Sequence, residues 1–195
     1  MSSKEFNHIE FSEKLFKKSD LLAIQLIKVL TNNLFFNDFM KFKVFIKLQH
    51  NFNEIYLSSL INKNNSNNLD FFINIVQSHS ATLQSDLKKF HIDNKKFYNQ
   101  KNFRTHNELI GWLYVYFFCD YFSSFYFKEV NTITEECSTQ KYLMTETFYK
   151  KQKWNLFNNF LNRNYFDESD QNEIINSIKK HSIDYLNTLS EKNCE

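Results

Sequence analysis

Hydrophobic and polar positions recur with a helical period along most of the chain. In residues 12–30 the apolar side chains are spaced by three or four residues or by multiples of that spacing, which indicates one apolar helical face; they include Leu15, Leu22, Leu26 and Val29. Comparable stretches predict five further helices, over residues 38–60, 69–90, 106–130, 147–162 and 170–191. The pattern therefore predicts an all-α fold, a single-domain multi-helix bundle over residues 1–195, with frayed ends at 1–10 and 191–195.

The ends of several helices carry recognisable signals. Asn37 is predicted to cap the second helix, and Thr105 with Glu108 has the form of a capping box before the fourth. Residues 62–68 form a polar, asparagine-rich loop that cannot contribute to a core. The fourth helix is apolar nearly all round, so we expect it to be the buried central helix.

Composition supports helices and excludes several classes of site. The 195 residues include 23 phenylalanines, no proline and one glycine, Gly111. Average chains carry about 7% glycine and 5% proline, and glycine-rich phosphate loops need several glycines close together. Folds rich in tight hairpins also depend on these residues at their turns, whereas long helices can dispense with both.

Charge and cysteine content bear on partners and compartment. A net charge of +2 is not that of a whole-chain nucleic-acid binder. The three cysteines, Cys119, Cys137 and Cys194, are widely spaced and favour a reducing compartment. With no apolar run of 18 residues and no leader pattern, we expect a soluble protein without a membrane span. It would be cytoplasmic, or in an organelle (plastid) stroma if a transit leader has been removed.

Residues typical of metal or nucleophilic sites do not assemble into a motif. His50 and Glu54 lie one turn apart on the second helix, and His181 and Asp184 lie three apart on the last, but no other helix completes a ligand set. We therefore predict no metal site and interpret these as polar pairs of surface or core. Cys119 is interpreted as a buried structural cysteine, because no cation nearby in sequence would lower the pKa of its thiol; a nucleophile is the alternative.

Several segments, in order along the chain, resemble the heme oxygenase family. Gly111-Trp112-Leu113-Tyr114-Val115 is similar to the start of the family's distal helix, and residues 79–87 are similar to its RxxxLxxDL stretch. Residues 39–56 resemble its second helix. Trp154, Phe157 and Leu161 fit the helix that precedes its final long helix. The resemblance covers most of the chain and implies the all-helical heme oxygenase fold. Together with the composition, it suggests the plastid-type member of a plastid-bearing parasite.

The departures from the family concern its heme pocket. Ser19 matches a family hydroxyl, and the histidine that holds heme iron four residues later corresponds to Ala23. An alanine methyl has no lone pair to offer to iron. The distal-helix glycines, which let the backbone approach heme, correspond to phenylalanines or serine, so that the substituted distal positions are Phe118, Cys119, Phe122 and Ser123.

The resemblance and its departures predict a pseudoenzyme that acts as a non-catalytic binding or scaffold protein, with no cofactor. The alternative is an active heme oxygenase that converts heme to biliverdin, iron and carbon monoxide through a different ligand. A di-iron oxidase on the same fold is a third hypothesis.

A basic segment with interleaved aromatics indicates what a partner would be. It contains Lys88, Lys89, Lys95, Lys96, Phe97, Tyr98, Lys101 and Arg104, together with Phe90 and Phe103, and only one acid. Such a segment can follow a phosphate backbone and stack on bases, so a nucleic-acid or acidic protein partner is one interpretation. A solvated connection before the fourth helix is the other. Lys150, Lys151 and Lys153 are interpreted as a second, smaller basic run.

Overall fold

The computed structural model describes residues 10–61, 68–92, 101–126 and 147–190. Within them the chain forms six α-helices and no strand. These helices are α1 (Phe11–Asn32), α2 (Phe39–Ile61), α3 (Asp70–Lys89), α4 (His106–Ser123), α5 (Thr147–Arg163) and α6 (Glu168–Ser190), with a 3-10 turn at Ser124–Tyr126. The all-α prediction is confirmed, while the single-domain organisation stays a prediction. Of the ends predicted to fray, residues 1–10 and 191–195, all but Glu10 lie outside the described residues.

Helix α4 occupies the centre of the bundle, because every residue from 111 to 120 is buried. A helix that is apolar all round has to be covered on all sides, and α6 and α5 pack along α4 for this reason. The remaining helices complete the layers: α2 packs against α3 and α6, and α1 packs against α5 and α6. The prediction of a buried central fourth helix is confirmed.

Aromatic rings fill much of the space between the helices. Trp112 of α4 lies over Phe52 of α2, with ring centroids 6.2 Å apart. Phe72 of α3 meets Phe117 and Phe157 edge-on at 5.7 and 5.1 Å. These distances fall within the range in which aromatic pairs attract one another beyond the burial of their area. Phe52, Phe72, Phe117 and Phe157 are therefore structural core residues.

The helix ends agree in part with the sequence predictions. Thr105 caps α4 as predicted, since its Oγ1 accepts a hydrogen bond of 3.0 Å from the Glu108 amide. The Glu108 carboxylate accepts from the amide of Arg104 at 2.7 Å. The cap predicted at Asn37 is wrong by one residue, because it is Asp38 whose Oδ1 accepts from the amide of Lys41 at 2.8 Å. Helix α4 ends at Ser123, earlier than predicted; residues 127–130 lie outside the described residues.

The single glycine lies where α4 and α6 approach each other most tightly. A Cβ atom at Gly111 would lie 2.4 Å from both Cβ and Oγ of Ser177 and 3.0 Å from the carbonyl oxygen of Ile174. Ser177 is itself held in place, because its hydroxyl donates to the Glu108 carbonyl at 2.8 Å. Gly111 is thus required by packing between helices, and not by its backbone dihedrals.

We expect Gly111→Ala to destabilise the protein by about 1–3 kcal/mol, because the new methyl group overlaps Ser177. Helix propensity alone would predict a gain of about 1 kcal/mol, so the sign of the change is informative. Urea denaturation measures it, with the exposed helical change Asn74→Ala as control. Addition of Ser177→Gly should recover part of the loss, and a Gly111→Ala variant as stable as the native protein would contradict this packing account.

Candidate functional site

Ala23, which the sequence resemblance predicts at the position of an iron ligand, lies on α1 and has no side-chain atom that could bind iron. Ala23 is half-buried and packs against the hydrophobic core. One turn before it, buried Ser19 uses its hydroxyl to donate to the carbonyl of Leu15 at 2.9 Å. One turn after it, Ile27 is apolar and exposed. The described part of α1 therefore offers no side chain suited to bind heme iron at this point.

A column of four rings follows one face of α4. Tyr114, Phe118, Phe122 and Phe125, which we call the aromatic ladder, are three or four residues apart in the helix and the 3-10 turn after it. Successive ring centroids are separated by 6.2, 4.6 and 5.7 Å. The ladder passes from fully buried Tyr114 and Phe118 through half-buried Phe122 to Phe125, which is 56% exposed. Phe118 and Phe122, two of the positions that the resemblance predicts to replace family glycines, thus belong to a continuous row of ring contacts.

Helix α5 closes the buried end of this ladder. The indole of Trp154 meets Tyr114 edge-on at 5.1 Å and Phe118 at 5.8 Å. Phe118 is only 1% exposed, so its ring already fills the space beside the helix backbone. At Phe118, this chain presents ring atoms in close contact with Tyr114, Phe122 and Trp154.

Cys119 and Ser123, the other two distal positions predicted to be substituted, make contacts within the protein. Cys119 is a free, buried cysteine, and burial raises the pKa of its thiol well above the usual range, which the charge of Asp120 reinforces. The thiol is therefore held in the protonated form and is unsuited to act as a nucleophile. Ser123 donates to the carbonyl of Asp120 at 2.7 Å and accepts from the Lys150 ammonium at 3.3 Å.

Beneath these positions lies a group of buried ionisable side chains, the buried polar cluster: His79, Tyr116, Asp120, Lys150 and Lys153. The Lys150 ammonium lies 2.9 Å from the Asp120 carboxylate, and both side chains are almost inaccessible to solvent. His79 Nδ1 lies 2.5 Å from the Tyr116 hydroxyl, and His79 Nε2 lies 2.6 Å from the Lys153 ammonium. The cluster joins α3, α4 and α5 through polar contacts.

The pKa values within this cluster follow from burial and pairing. Burial alone would raise the pKa of Asp120, but the charge and hydrogen bond of Lys150, together with the charges of His79 and Lys153, hold this pKa below the ordinary value. Burial lowers the pKa of His79 to about 4, although the Asp120 charge opposes this shift. At neutral pH the Asp120 side chain is therefore a carboxylate, and the His79 imidazole is neutral.

The second basic run predicted from the sequence is wrong for two of its three lysines. Lys151 is exposed, whereas Lys150 is 1% exposed and Lys153 is half-buried against His79. The signal that the sequence reading missed is Asp120, a carboxylate in the middle of an apolar helix. Such a group has to find a cationic partner when it is buried.

The two histidine–carboxylate pairs do not combine into one metal-ligand set among the described residues. His50 is 3.7 Å from Glu54, and His181 is 3.8 Å from Asp184. Neither His181 ring nitrogen has a hydrogen-bond partner among the described residues, and burial lowers the pKa of this side chain to about 4. Over the described ranges, no group of three or more histidine, cysteine or acidic side chains is arranged to hold a metal ion.

The predicted basic and aromatic segment is divided between surface and core. Lys88, Lys89 and Arg104 are exposed, and Lys101 pairs with Asp184 at 2.8 Å. Phe90 and Phe103 are buried in the core, so the expectation that they could stack on bases is wrong for these two rings. The remaining members lie outside the described residues; they are Lys95, Lys96, Phe97 and Tyr98.

A cleft of about 900 Å³ lies away from all of these positions. It opens between the start of α1 and the connection from α5 to α6, beside Phe11, Leu161 and Phe166. None of the substituted pocket positions lines it. In the part of the chain that the structure describes, no helix is both long enough and apolar enough to cross a lipid bilayer.

The order and packing of the helices are those of an all-α heme-oxygenase-like fold. The structure is similar to the NO- and CO-bound heme oxygenase from Neisseria meningitidis, with a TM-score of 0.76 and 18% sequence identity. The alignment covers 94% of this chain and 92% of that one. At this identity the likeness shows the fold. No protein-family model matches the sequence, and no curated protein matches it significantly.

We expect Lys150→Met to destabilise the protein by about 3–5 kcal/mol, because it leaves the Asp120 carboxylate buried without its cation. Urea denaturation of Lys151→Met provides the matched control, since that neighbouring lysine is exposed and should change stability by less than about 0.5 kcal/mol. Equal stability of the two variants would show that the buried ion pair does not support the fold.

Stability should fall as the pH is lowered from about 6.5 to about 4. His79 and His181 stay neutral in the folded protein down to about pH 4, whereas in the unfolded chain they take up protons below about pH 6.5. The unfolded state therefore binds more protons in this window. As the pH falls, this lowers the free energy of unfolding by up to about 3 kcal/mol for each histidine. Urea denaturation across this range should show a shallower slope for His181→Gln and for His79→Gln, but not for exposed His91→Gln. An unaltered slope in both buried-site variants would contradict the assignment.

Proposed function

We propose that this protein is a pseudoenzyme of the heme-oxygenase-like fold, a non-catalytic binding or scaffold protein that does not degrade heme. The observation that carries the proposal is the combination of Ala23 on α1 with the buried, stacked ring of Phe118 on α4. One removes the iron ligand, and the other occupies the space that heme would need beside the distal helix.

Heme therefore does not fit the residues present. A ligand from elsewhere would have to replace the missing histidine, yet the nearest turns of α1 offer only Ser19, engaged with the Leu15 carbonyl, and Ile27. Heme would also have to displace Phe118 from its contacts with Tyr114, Phe122 and Trp154. Loss of such buried contacts costs about 3–5 kcal/mol when a phenylalanine is truncated, which indicates the scale of the penalty.

The rival proposal, an active heme oxygenase that uses a different ligand, has less support. The buried polar cluster contains an imidazole, but His79 is already in contact with Tyr116 and Lys153. Cys119 is protonated and buried. Under our proposal these side chains stabilise the helix packing.

The proposed partner is a macromolecule with acidic character, either protein or nucleic acid. Exposed Lys88, Lys89 and Arg104 support a cationic surface at the end of α3 and before α4. Burial of Phe90 and Phe103 removes two of the rings that would favour single-stranded nucleic acid. The observations on the described residues thus favour an acidic protein.

The test is a hemin titration followed by absorption spectroscopy. The native protein should show no sharp, stoichiometric Soret band and no biliverdin when reductant is added. Ala23→His should behave in the same way, because the aromatic ladder still fills the pocket. Gln25→His is the matched control, since it places a histidine on the exposed surface of the same helix.

Hemin affinities of Ala23→His and Gln25→His that agree within about threefold support the proposal. A stoichiometric Soret band in Ala23→His but not in Gln25→His would show that the pocket is open. Biliverdin formation by the native protein would overturn the proposal altogether.

A further inference from the structure

Helix α1 presents an unusual amount of apolar side chain to solvent. Half of the large hydrophobic residues that are exposed in the described part of the chain lie between Phe16 and Met40. On α1 itself, Leu21 and Ile24 are 64% and 61% exposed. Phe16 and Ile27 are 47% and 45% exposed. Contiguous exposed apolar side chains of this kind mark an interaction surface more often than scattered ones do.

The exposed side chains form an ordered row. Lys17, Leu21, Ile24 and Lys28 lie at positions i, i+4, i+7 and i+11, and therefore follow one line along the helix surface. We call this row the outer ridge. It lies roughly opposite the buried face of α1, which contains Leu15, Ser19, Leu22, Leu26 and Leu30. The outer ridge therefore has an apolar centre with one lysine at each end, about 16 Å apart.

The outer ridge is separate from the position of the missing iron ligand. Leu21 precedes Ala23 by two residues, which places their side chains roughly 160° apart around the helix. Ala23 packs against the core, whereas Leu21 and Ile24 point to solvent. Binding of a partner to the outer ridge therefore does not depend on whether the protein binds heme at Ala23.

Charge decides between the possible occupants. If a second copy of α1 paired with this ridge in antiparallel register, Lys17 would face Lys28 of the copy; in parallel register, each lysine would face itself. Like charges placed opposite one another disfavour both arrangements. A double-stranded nucleic acid would place its polar, anionic surface against the apolar side chains of Leu21 and Ile24. An amphipathic helix with two apolar residues between two acids matches both the centre and the ends of the ridge.

One lysine of the ridge already has a weak contact. The Lys17 ammonium lies 2.8 Å from the Glu13 carboxylate, with both side chains more than half exposed. Exposed pairs of this kind contribute little and exchange partners readily. Lys28 is exposed and makes no ion pair with any residue that the structure describes. Both ends of the ridge are therefore accessible to an acidic partner.

We propose that the outer ridge of α1 binds an acidic amphipathic helix of a partner protein, through Leu21 and Ile24 at its centre and Lys17 and Lys28 at its ends. This inference rests on the proposed binding function and names its surface and its partner class.

The test measures binding of a labelled helical peptide with the pattern Glu, Leu, Leu, Glu at i, i+4, i+7 and i+11, by fluorescence anisotropy. A second peptide with lysine in place of both glutamates is the charge control. The acidic peptide should bind the native protein more tightly than the basic one, and added salt should narrow the difference. Reversal of both ends by Lys17→Glu with Lys28→Glu should invert this preference.

The apolar centre is tested by Ile24→Ser, which should weaken binding of the acidic peptide by about tenfold or more. Ile183→Ser on α6 is the matched control, because Ile183 is 59% exposed and lies on another helix. Circular dichroism checks that both variants remain folded.

Several results would overturn the proposal. These are no binding of the acidic peptide at its highest soluble concentration, equal binding of both peptides, or equal effects of the two serine variants. Light scattering that shows a dimer abolished by Ile24→Ser would assign the ridge to a second copy. Binding to phosphatidylserine vesicles that Ile24→Ser abolishes, without peptide binding, would assign it to a lipid surface. Hemin binding in the earlier titration would leave this surface proposal intact, so the two can fail separately.

Discussion

The burial of α4 on all sides is the constraint on which the rest of the structure depends. A helix that is apolar all round is stable in water only if neighbouring helices cover it, and here α5 and α6 pack along it. The packing of these two helices on α4 has two local requirements. Gly111 removes a side chain where Ser177 of α6 approaches, and Lys150 of α5 supplies a cation where Asp120 would otherwise be a lone buried charge.

Under the proposed function, the same constraint also accounts for a filled heme pocket. In a heme oxygenase, the distal helix has to leave room for a large planar group beside its backbone. In this chain the aromatic ladder fills that side of α4, and Trp154 closes its buried end. Dense packing of this kind favours a stable scaffold over a cavity that exchanges a ligand. The surfaces left for recognition are then on the outside of the bundle, among them the outer ridge of α1.

Much of the fold could be predicted from the sequence, because helix period, the Thr105 cap and the apolar character of α4 are local signals. The resemblance to heme oxygenases predicts Ala23, Phe118 and Phe122 as altered positions, which periodicity alone does not, and this stays a prediction. Long-range partners could not be predicted in this way. Lys150 lies in a run of lysines typical of a surface. Only the folded structure shows that its side chain is buried and paired with Asp120. Phe103 likewise sits among polar residues in sequence but packs against Tyr56 in the structure.

The central claim is the proposal that the aromatic ladder occupies space beside α4 that heme would take. Crystals of the native protein grown in excess hemin, with diffraction recorded at the iron absorption edge, test it most directly. We expect Phe118 and Phe122 to remain stacked, with no anomalous iron signal between Ala23 and the aromatic ladder. An iron peak at that position, with the two rings rotated away from each other, would contradict the account.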